Sequence, residues 1–521
     1  MFRWLIGPAR EPARTVDAFA AAEAMSFNPP LATLYLLGAC GSPDAAAAER
    51  AGRELARRLG EVPLHRLAWY DDEMRRTFGG ASYARLEPAL PRWLFERDAA
   101  RRLTLSGEAA LPALALLSMH KSGYVREDAV AALAAQEGDA LPYLLLRAND
   151  WVEPIRQRVW HALNARLKPR FAAAWVRSLP LLVRLLDARR DDHRVLVSRV
   201  RAELGGNSEN HPALMAGLAS PDRAVRRICF DILASSLKSG EAVRIGLANR
   251  DPVVRLRAAR AAESLDPAEF AALVPLMLLD QFVAVRTLGV IFAERAGEVA
   301  LLRAAALDAA ATPRGIAAAG LARRGIDVAA LYRSAVAEED VVRVGAVAGL
   351  GERGVAGDAE TVARFLGHRR ARVRESAMVA YARLAPGEAA PVLARMLEDA
   401  APSVSRAAMR QLEERRIWLD PAMLEALHAP ANPLHVRVNA LRLMSRHGRW
   451  AGIVPILRAL CDGDARVAAA AERLLRRWLH LQRSAHAPAS AEEHARFLDA
   501  VCQYGGCIAD PALAAELRVY R

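Results

Sequence analysis

The sequence predicts an all-α protein, built as a solenoid of about twelve short helix pairs with atypical helical ends. Two observations predict this fold class. Alanine, leucine and arginine are abundant, whereas aromatic residues make up only 6% of the chain, and this composition favours helix. In addition, a Val-Arg or Ile-Arg pair returns about every 30 residues, a period typical of helical-repeat proteins.

The Val-Arg pair marks the start of the second helix in each predicted unit. The longer intervals between markers are about twice the period, and each contains a degenerate copy. The markers are Val125-Arg126, Ile155-Arg156, Val225-Arg226, Val254-Arg255, Val285-Arg286, Val342-Arg343, Val373-Arg374 and Val436-Arg437, with degenerate copies at His193-Arg194, Pro313-Arg314 and Val404-Ser405. Stacking is required because one helix pair cannot bury its apolar face alone.

Proline and aspartate residues place the helix starts. Proline is tolerated at the first helical position, where its missing N–H would be unpaired anyway. Four prolines lie 14 residues before a marker arginine and predict the start of the first helix, namely Pro112, Pro142, Pro180 and Pro212. Asp222 and Asp251 lie three residues before Val225 and Val254, where a carboxylate can cap the second helix.

These units resemble HEAT repeats, especially the short variety named after phycobilisome bilin lyases. The segments that carry the resemblance best are Asp222-Arg223-Ala224-Val225-Arg226 and Asp251-Pro252-Val253-Val254-Arg255. The resemblance implies a right-handed superhelical α-solenoid, whose second helices line a concave binding face. It also implies that the repeated arginines are structural, each paired with an acidic residue of a neighbouring unit. The implied structural positions are Arg126, Arg156, Asp222, Arg226, Asp251, Arg255, Arg286, Arg343, Arg374 and Arg437.

Departures from the repeat pattern divide the chain into three regions. Residues 1–110 form an aromatic-rich helical region with helices predicted at 13–25, 44–60 and 82–102, residues 111–484 form the repeats, and residues 485–521 form a helical cap with a helix predicted from Ala489 to Gln503. The first region is either a cap for the stack or a docking module. A docking module would present aromatic anchors to a partner, and its predicted contacts are Trp69, Tyr70 and Trp93.

The positive charge leaves nucleic acid as an alternative partner. Lysine and arginine number 72 against 59 acidic residues, for a net charge of +13, but the excess is spread along the chain. The densest basic run contains Arg369, Arg370 and Arg372, which we predict as partner or phosphate contacts; a second run extends from Arg184 to Arg201. Trp151, Trp160 and Trp175 lie near Arg156 and Arg158, as core residues or as a stacking surface for bases.

No catalytic motif accompanies the repeats. The chain has no phosphate-binding P-loop, no nucleophile elbow, no paired zinc-binding histidines and no dinucleotide-binding fingerprint. Cys502 and Cys507, with His486 and His494, loosely resemble a metal site but lack the second paired motif of structural zinc. Five cysteines do not make a disulfide framework, and no apolar run reaches membrane-spanning length, so we expect the reducing cytoplasm.

The leading hypothesis is therefore a non-enzymatic, cytoplasmic protein-binding scaffold that holds a protein partner on its concave face. It predicts no cofactor, no metal and no catalytic residues. The alternatives are a nucleic-acid-binding protein similar to HEAT-like DNA glycosylases of alkylation repair and, less favoured, a bilin-lyase-like enzyme.

Overall fold

The structure is a computed structural model that describes residues 18–24, 29–79, 90–103, 105, 107–136, 139–237, 239–337, 342–448, 450–484 and 488–520. These residues contain helices and turns and no strand. They form two compact units, Met1–Phe270 and Ala271–Arg521. Among them, no helix is both long and apolar enough to cross a membrane.

The first unit contains an N-terminal group of helices and five helix pairs, which we number repeats 1 to 5. The N-terminal helices are Ala18–Ala24, Pro29–Ala39, Ala45–Gly60 and Leu67–Gly79. The pairs are Leu111–Leu117 with Gly123–Ala135, Leu141–Arg147 with Glu153–Ala165, Ala172–Arg184 with Arg194–Gly206, His211–Leu218 with Arg223–Ser236, and Ser239–Leu247 with Pro252–Ala261.

The second unit contains repeats 6 to 12 and a terminal helix pair; the first helix of repeat 6 begins just before the division. The pairs are Pro267–Leu278 with Val283–Ala296, Val299–Ala305 with Ala311–Arg323, Val328–Ala337 with Val344–Arg353, Ala359–Ala363 with Ala371–Leu384, Ala389–Leu397 with Pro402–Arg415, Pro421–His428 with Leu434–Met444, and Ile453–Leu460 with Ala465–Ser484. The terminal pair is Ala491–Tyr504 with Pro511–Arg518. The prediction of an all-α fold built from about twelve consecutive helix pairs is confirmed for the described residues.

Each second helix buries one apolar stripe. In repeat 4, Val225, Cys229 and Ile232 are buried at spacings of four and three residues, which place them on one face of the helix. Within each unit the second helices of consecutive repeats pack side by side, with one exception. The exception is in repeats 2 and 3, where Glu153–Ala165 and Arg194–Gly206 do not pack closely.

The marker pair occupies the third and fourth positions of most second helices, but two markers are out of register. The backbone N–H of the fourth residue bonds to the N-cap carbonyl, as from Arg126 to Ser122 and from Arg226 to Asp222. In repeat 8 this bond comes from Val347, and in repeat 3 from Val197. The assignments of Arg343 and Arg194 to the repeated position are therefore wrong, because both second helices begin later in the sequence than the pattern predicts.

Three of the four prolines lie at helix starts, and the fourth does not. Pro112, Pro142 and Pro212 occupy the first turn of their helices. Pro180 instead lies inside Ala172–Arg184, because the extra residues of repeat 3 extend its first helix toward the N-terminus. The longer helix accompanies the gap between the second helices of repeats 2 and 3.

The N-terminal helices pack on the first helices of the neighbouring repeats. Ala45–Gly60, which matches the predicted helix at 44–60, contacts the first helix of repeat 1, and the turn before Leu67–Gly79 contacts that of repeat 3. The predicted helix at 82–102 is wrong in its described part, where Arg92–Phe95 and Ala99–Arg102 form short 3-10 turns. Residues 82–89, including Tyr83, lie outside the described residues.

A disulfide joins the terminal helix pair to repeat 12. Cys461, which ends Ile453–Leu460, is bonded to Cys507, which follows Ala491–Tyr504. Cys507 cannot act as a metal ligand in the loose grouping with Cys502 and His494, because its thiol is consumed by the disulfide; His486 lies outside the described residues. The two helices pack against each other, and this contact brings together cysteines 46 residues apart in sequence.

A glycine in repeat 8 permits close approach to repeat 7. A Cβ on Gly345 would lie 2.2 Å from the backbone oxygen of Leu307, which cannot move aside as a flexible side chain would. We expect Gly345→Ala to destabilise the second unit by about 1–3 kcal/mol, since overpacking displaces backbone. Gly315→Ala is the matched control, because its Cβ would meet no atom within 4 Å and alanine favours helix. Urea unfolding of both variants checks this, and equal midpoints would contradict it.

Candidate functional site

The repeated arginines form a ladder along the turns inside the repeats. The guanidinium of Arg126 donates 2.9 and 2.8 Å hydrogen bonds to the two carboxylate oxygens of Asp150 in the next repeat. Arg374 binds Asp399 in the same two-pronged way, at 2.7 Å for both bonds. Each arginine also donates from Nη1 to two carbonyls of its own turn, as Arg374 does to His368 and Arg369.

The ladder is repeated with variations at the other positions. Further pairs with the next repeat are Arg226 with Asp251, Arg286 with Asp308, and Arg437 with Asp462. Arg314 binds Glu352, and Arg156 approaches Asp191 at 3.8 Å. Asp222 caps its own helix by accepting from the N–H of Ala224, while Arg255 donates to the carbonyls of Asn249 and Arg250. The bidentate contacts occupy the guanidinium groups of four of these arginines, which are therefore not free to hold phosphate, namely Arg126, Arg286, Arg314 and Arg374.

The ladder aspartates follow a spacing that the sequence pattern missed. Asp150, Asp308 and Asp399 each lie five residues before the third residue of a second helix, rather than three as in Asp251. Each accepts from the backbone N–H two residues later, which is the geometry of an Asx turn. The sequence signal for this position is an aspartate five residues before the third helical residue, which is Ile155, Pro313 or Val404 in these three repeats.

The three aromatic residues predicted as partner contacts differ in exposure. Trp69 is 52% exposed, whereas Tyr70 is 2% exposed and its hydroxyl lies 3.1 Å from Thr33 Oγ1. Trp93 is half-buried over Gly41, where an added Cβ would lie 2.5 Å from the indole. The assignment of Tyr70 as a surface contact is therefore wrong, because its ring belongs to the core, and Trp69 is the member of the set that presents a large exposed surface.

Arg369, Arg370 and Arg372 of repeat 9, predicted as partner or phosphate contacts, are all exposed. They do not combine with the paired arginines of the ladder into one basic patch. Arg370 donates to the carbonyl of Val342, while Arg369 and Arg372 make no ion pair with any described residue. Arg372 lines a cavity of about 310 Å³ in the second unit, where Arg314 and Glu352 are already paired. Acidic side chains interrupt the positive charge at this surface.

The tryptophan cluster of repeats 2 and 3 separates into three environments. Trp175 is 1% exposed and donates from Nε1 to the carbonyl of Arg166 at 2.9 Å, so it is a core residue. Trp160 is half-buried between the second helices. Trp151 is 71% exposed, and the guanidinium carbon of Arg190 lies 3.9 Å from its ring centroid. A cation stacked on an aromatic face is an attractive contact that orders both side chains.

Trp151 stands at the edge of a groove, which we call the turn-side groove. It has a volume of about 820 Å³ and lies between Leu67–Gly79 and the turns of repeats 2 and 3. Its lining includes Asp72, Arg76, Asn149, Trp151, Arg184 and Arg190. Arg190 is held by a 3.2 Å bond to the carbonyl of Asn149, whereas Arg184 is exposed and without an ion pair among the described residues. The groove thus offers both signs of charge beside an exposed indole.

A buried ion network forms the floor of this groove. Arg147 is 1% exposed and binds Asp71 of the N-terminal region, and its Nη1 also donates to Asp150 at 3.1 Å. Arg75 reaches Asp150 at 3.4 Å. Burial alone would raise the pKa of Asp150, but the hydrogen bonds and charges of Arg126 and Arg147 outweigh burial and bring the pKa to about 2. The network ties the N-terminal helices to repeat 2 and gives the groove a rigid base.

Comparison with known proteins gives likenesses of fold. No model of a known protein family matches this chain, and no curated protein matches it either. Similar solved structures include importin beta in an ammonium sulfate condition, with 14% identity, 94% of this chain and 72% of that chain covered, and a TM-score of 0.38. Kap95p, in a structure with RanGDP, is 12% identical; the match covers 94% of this chain and 66% of Kap95p, with a TM-score of 0.38.

The karyopherin Kap121p, bound to the extreme C-terminus of the protein phosphatase Cdc14p, is 13% identical; the match covers 96% of this chain and 71% of Kap121p, with a TM-score of 0.33. At these identities and scores, no function is transferred from any of the three structures.

Proposed function

We propose that this protein is a non-enzymatic scaffold that binds a protein partner, and that the turn-side groove is a principal contact. The observation that carries the proposal is Trp151, an indole that is 71% exposed yet ordered by Arg190 beside a cavity of about 820 Å³. Tryptophan and arginine dominate the binding energy of protein interfaces, especially where they adjoin a pocket. Trp69 lies on the helix Leu67–Gly79 but lines a separate cavity, with Arg57 and Arg66, and is the second predicted anchor.

The face of the second helices, the concave face of the predicted solenoid, is a further predicted contact. Neighbouring second helices exchange ion pairs across this face, such as Arg257 with Asp231 and Arg442 with Glu413. These pairs leave a polar surface with compensated charge, which suits the rim of an interface better than its centre.

Nucleic acid is the second candidate, because a tryptophan stacked with arginine also suits an unpaired base. The ladder favours protein over nucleic acid, since it neutralises most of the repeated arginines. Phosphate binding would make association fall steeply with salt. The short bilin-lyase-type variety of HEAT repeat is supported by the period of about 30 residues, but no lyase chemistry is placed by any residue described above.

The test keeps Trp151 and places a photo-crosslinking phenylalanine analogue at Asp187, an exposed residue of the groove lining, in the full-length chain expressed in its native cells. We expect a defined protein adduct that survives nuclease treatment and moderate salt. The matched control places the same analogue at Trp418, which is 60% exposed in the second unit. An adduct made only of nucleic acid, or the same protein adducts from both positions, would overturn the proposal.

Once the partner is identified by mass spectrometry, its affinity for purified variants measures the contribution of the groove. We expect Trp151→Ala to weaken binding by about 30-fold or more, the loss typical of a central anchor of about 2 kcal/mol. Trp418→Ala should leave the affinity within about twofold. Unchanged binding by Trp151→Ala would exclude the groove as a principal contact.

A further inference from the structure

The gap between repeats 2 and 3 forms a second cavity, which we call the inter-helix cleft. It has a volume of about 330 Å³ and lies where Glu153–Ala165 and Arg194–Gly206 separate. Its lining combines an apolar part, with Trp160, Leu163 and Leu196, and a polar part, with Arg156, Gln157 and His193. The polar part also includes Glu153, His161 and Asp191. Concave cavities of this size in which polar groups converge beside an aromatic side chain are typical of ligand sites.

His193 lines this cleft and has a ring nitrogen that makes no hydrogen bond. His193 is only 5% exposed, and its Nε2 has no hydrogen-bond partner among the described residues. A buried polar atom without a partner is costly, so such an atom in a native site points to a ligand or an ordered water. The backbone of His193 is fixed, since its carbonyl accepts from the N–H of Val197 at the start of the second helix.

The charges around the cleft favour a neutral ligand. Arg156 faces Asp191 at 3.8 Å, and Glu153 accepts from the amide of Gln157 at 3.0 Å, so the charged groups already have partners. Burial lowers the pKa of His193, more strongly than the nearby carboxylates of Asp191 and Asp192 raise it, and the ring is neutral at pH 7. A neutral imidazole presents one donor and one acceptor.

We propose that the inter-helix cleft binds a neutral planar ring that lies against Trp160 and hydrogen-bonds to Nε2 of His193. A phenol or an indole has this chemistry, either as a small molecule or as a tyrosine or tryptophan side chain of a bound segment. The site is separate from the turn-side groove and does not depend on it, so loss of partner binding at Trp151 leaves the present proposal intact.

The experiment uses ligand-observed NMR on the full-length protein, with phenol and indole as probes in one arm. The other arm uses N-acetyltyrosinamide and N-acetyltryptophanamide, which carry the flanking amides of a peptide. We expect saturable binding that is weakened at least fivefold by His193→Leu. The control is His211→Leu, because His211 lies in repeat 4 and its Nε2 is already bonded to the carbonyl of Gly205 at 3.0 Å.

A second variant blocks the cleft without altering the core. Gln157 is exposed at the rim, so Gln157→Trp should fill the opening and abolish binding while leaving the melting temperature close to that of the native chain. Binding of the free rings alone would support a small-molecule site, and binding of both arms would support capture of a partner's side chain. No binding of any probe at millimolar concentration, or equal binding by the native chain and Gln157→Trp, would overturn the proposal.

Discussion

Arg147→Met is expected to destabilise the unit Met1–Phe270 by about 3–5 kcal/mol, the cost of leaving a buried charge without its partner. Arg147 is 1% exposed and binds both Asp71 and Asp150. Its loss leaves Asp71, which is 8% exposed, with a single contact to Arg75 at 3.5 Å. Hydrogen exchange of the amides in Leu67–Gly79 and Leu141–Arg147 measures the effect, because these two helices are joined by the network.

Two variants separate the buried charge from a general loss of packing. Arg147→Met combined with Asp71→Leu should recover much of the stability, since replacing both partners by apolar groups is often nearly neutral. Arg177→Ala breaks the exposed pair with Asp139 in the same unit and should change stability by at most about 1 kcal/mol. Strictly additive losses in the double variant would show that the network is not coupled.

The same network predicts the acid sensitivity of the first unit. The pKa of Asp150 is about 2 in the folded chain against an ordinary value of 3.8, so the folded state holds this carboxylate ionised more strongly than the unfolded state. A lowered pKa stabilises the fold above the unfolded value, and that stabilisation is lost as the pH falls from about 4 to about 2. Arg147→Met should therefore flatten the pH dependence in this range.

The second large effect concerns the disulfide between Cys461 and Cys507. It closes a loop of 46 residues, for which the chain-entropy relation gives a stabilisation of about 4 kcal/mol. We expect Cys507→Ser to expose the terminal helix pair to limited proteolysis and to lower its hydrogen-exchange protection. Adding a dithiol reductant to the native chain should produce the same change, while repeats 6 to 8 keep their protection.

Cys502→Ser is the matched control, because Cys502 is exposed, unbonded and close in sequence to Cys507. It should behave as the native chain does under non-reducing conditions. Thiol trapping in native cells reports the compartment as well, since disulfides persist in oxidising compartments and are rare in the cytoplasm. Free thiols at both Cys461 and Cys507 in cells would agree with the expected cytoplasmic location.

Local pattern was enough to predict the number and type of the helical elements in the repeats, though not in residues 1–110. Each unit can be recognised from about 30 consecutive residues, because its signals all lie within one repeat. These signals are apolar residues at spacings of three and four, prolines at helix starts and polar turns. The same local reasoning failed at repeats 3 and 8, where the markers at Arg194 and Arg343 are out of register. There the start of the second helix depends on how the repeat packs on its neighbour.

The candidate sites depend instead on residues far apart in sequence. Arg147 meets Asp71 across 76 residues, Cys461 meets Cys507 across 46, and Arg190 reaches Asn149 across 41. The 30-residue repeat pattern does not predict such pairs, because it describes only the order of residues within one repeat. Packing of the N-terminal helices and of the extended repeat 3 onto the neighbouring repeats creates three features, namely the ion network, the two cavities of repeats 2 and 3, and the burial of Tyr70. Such packing exists only in the folded chain, so the sequence pattern does not predict it.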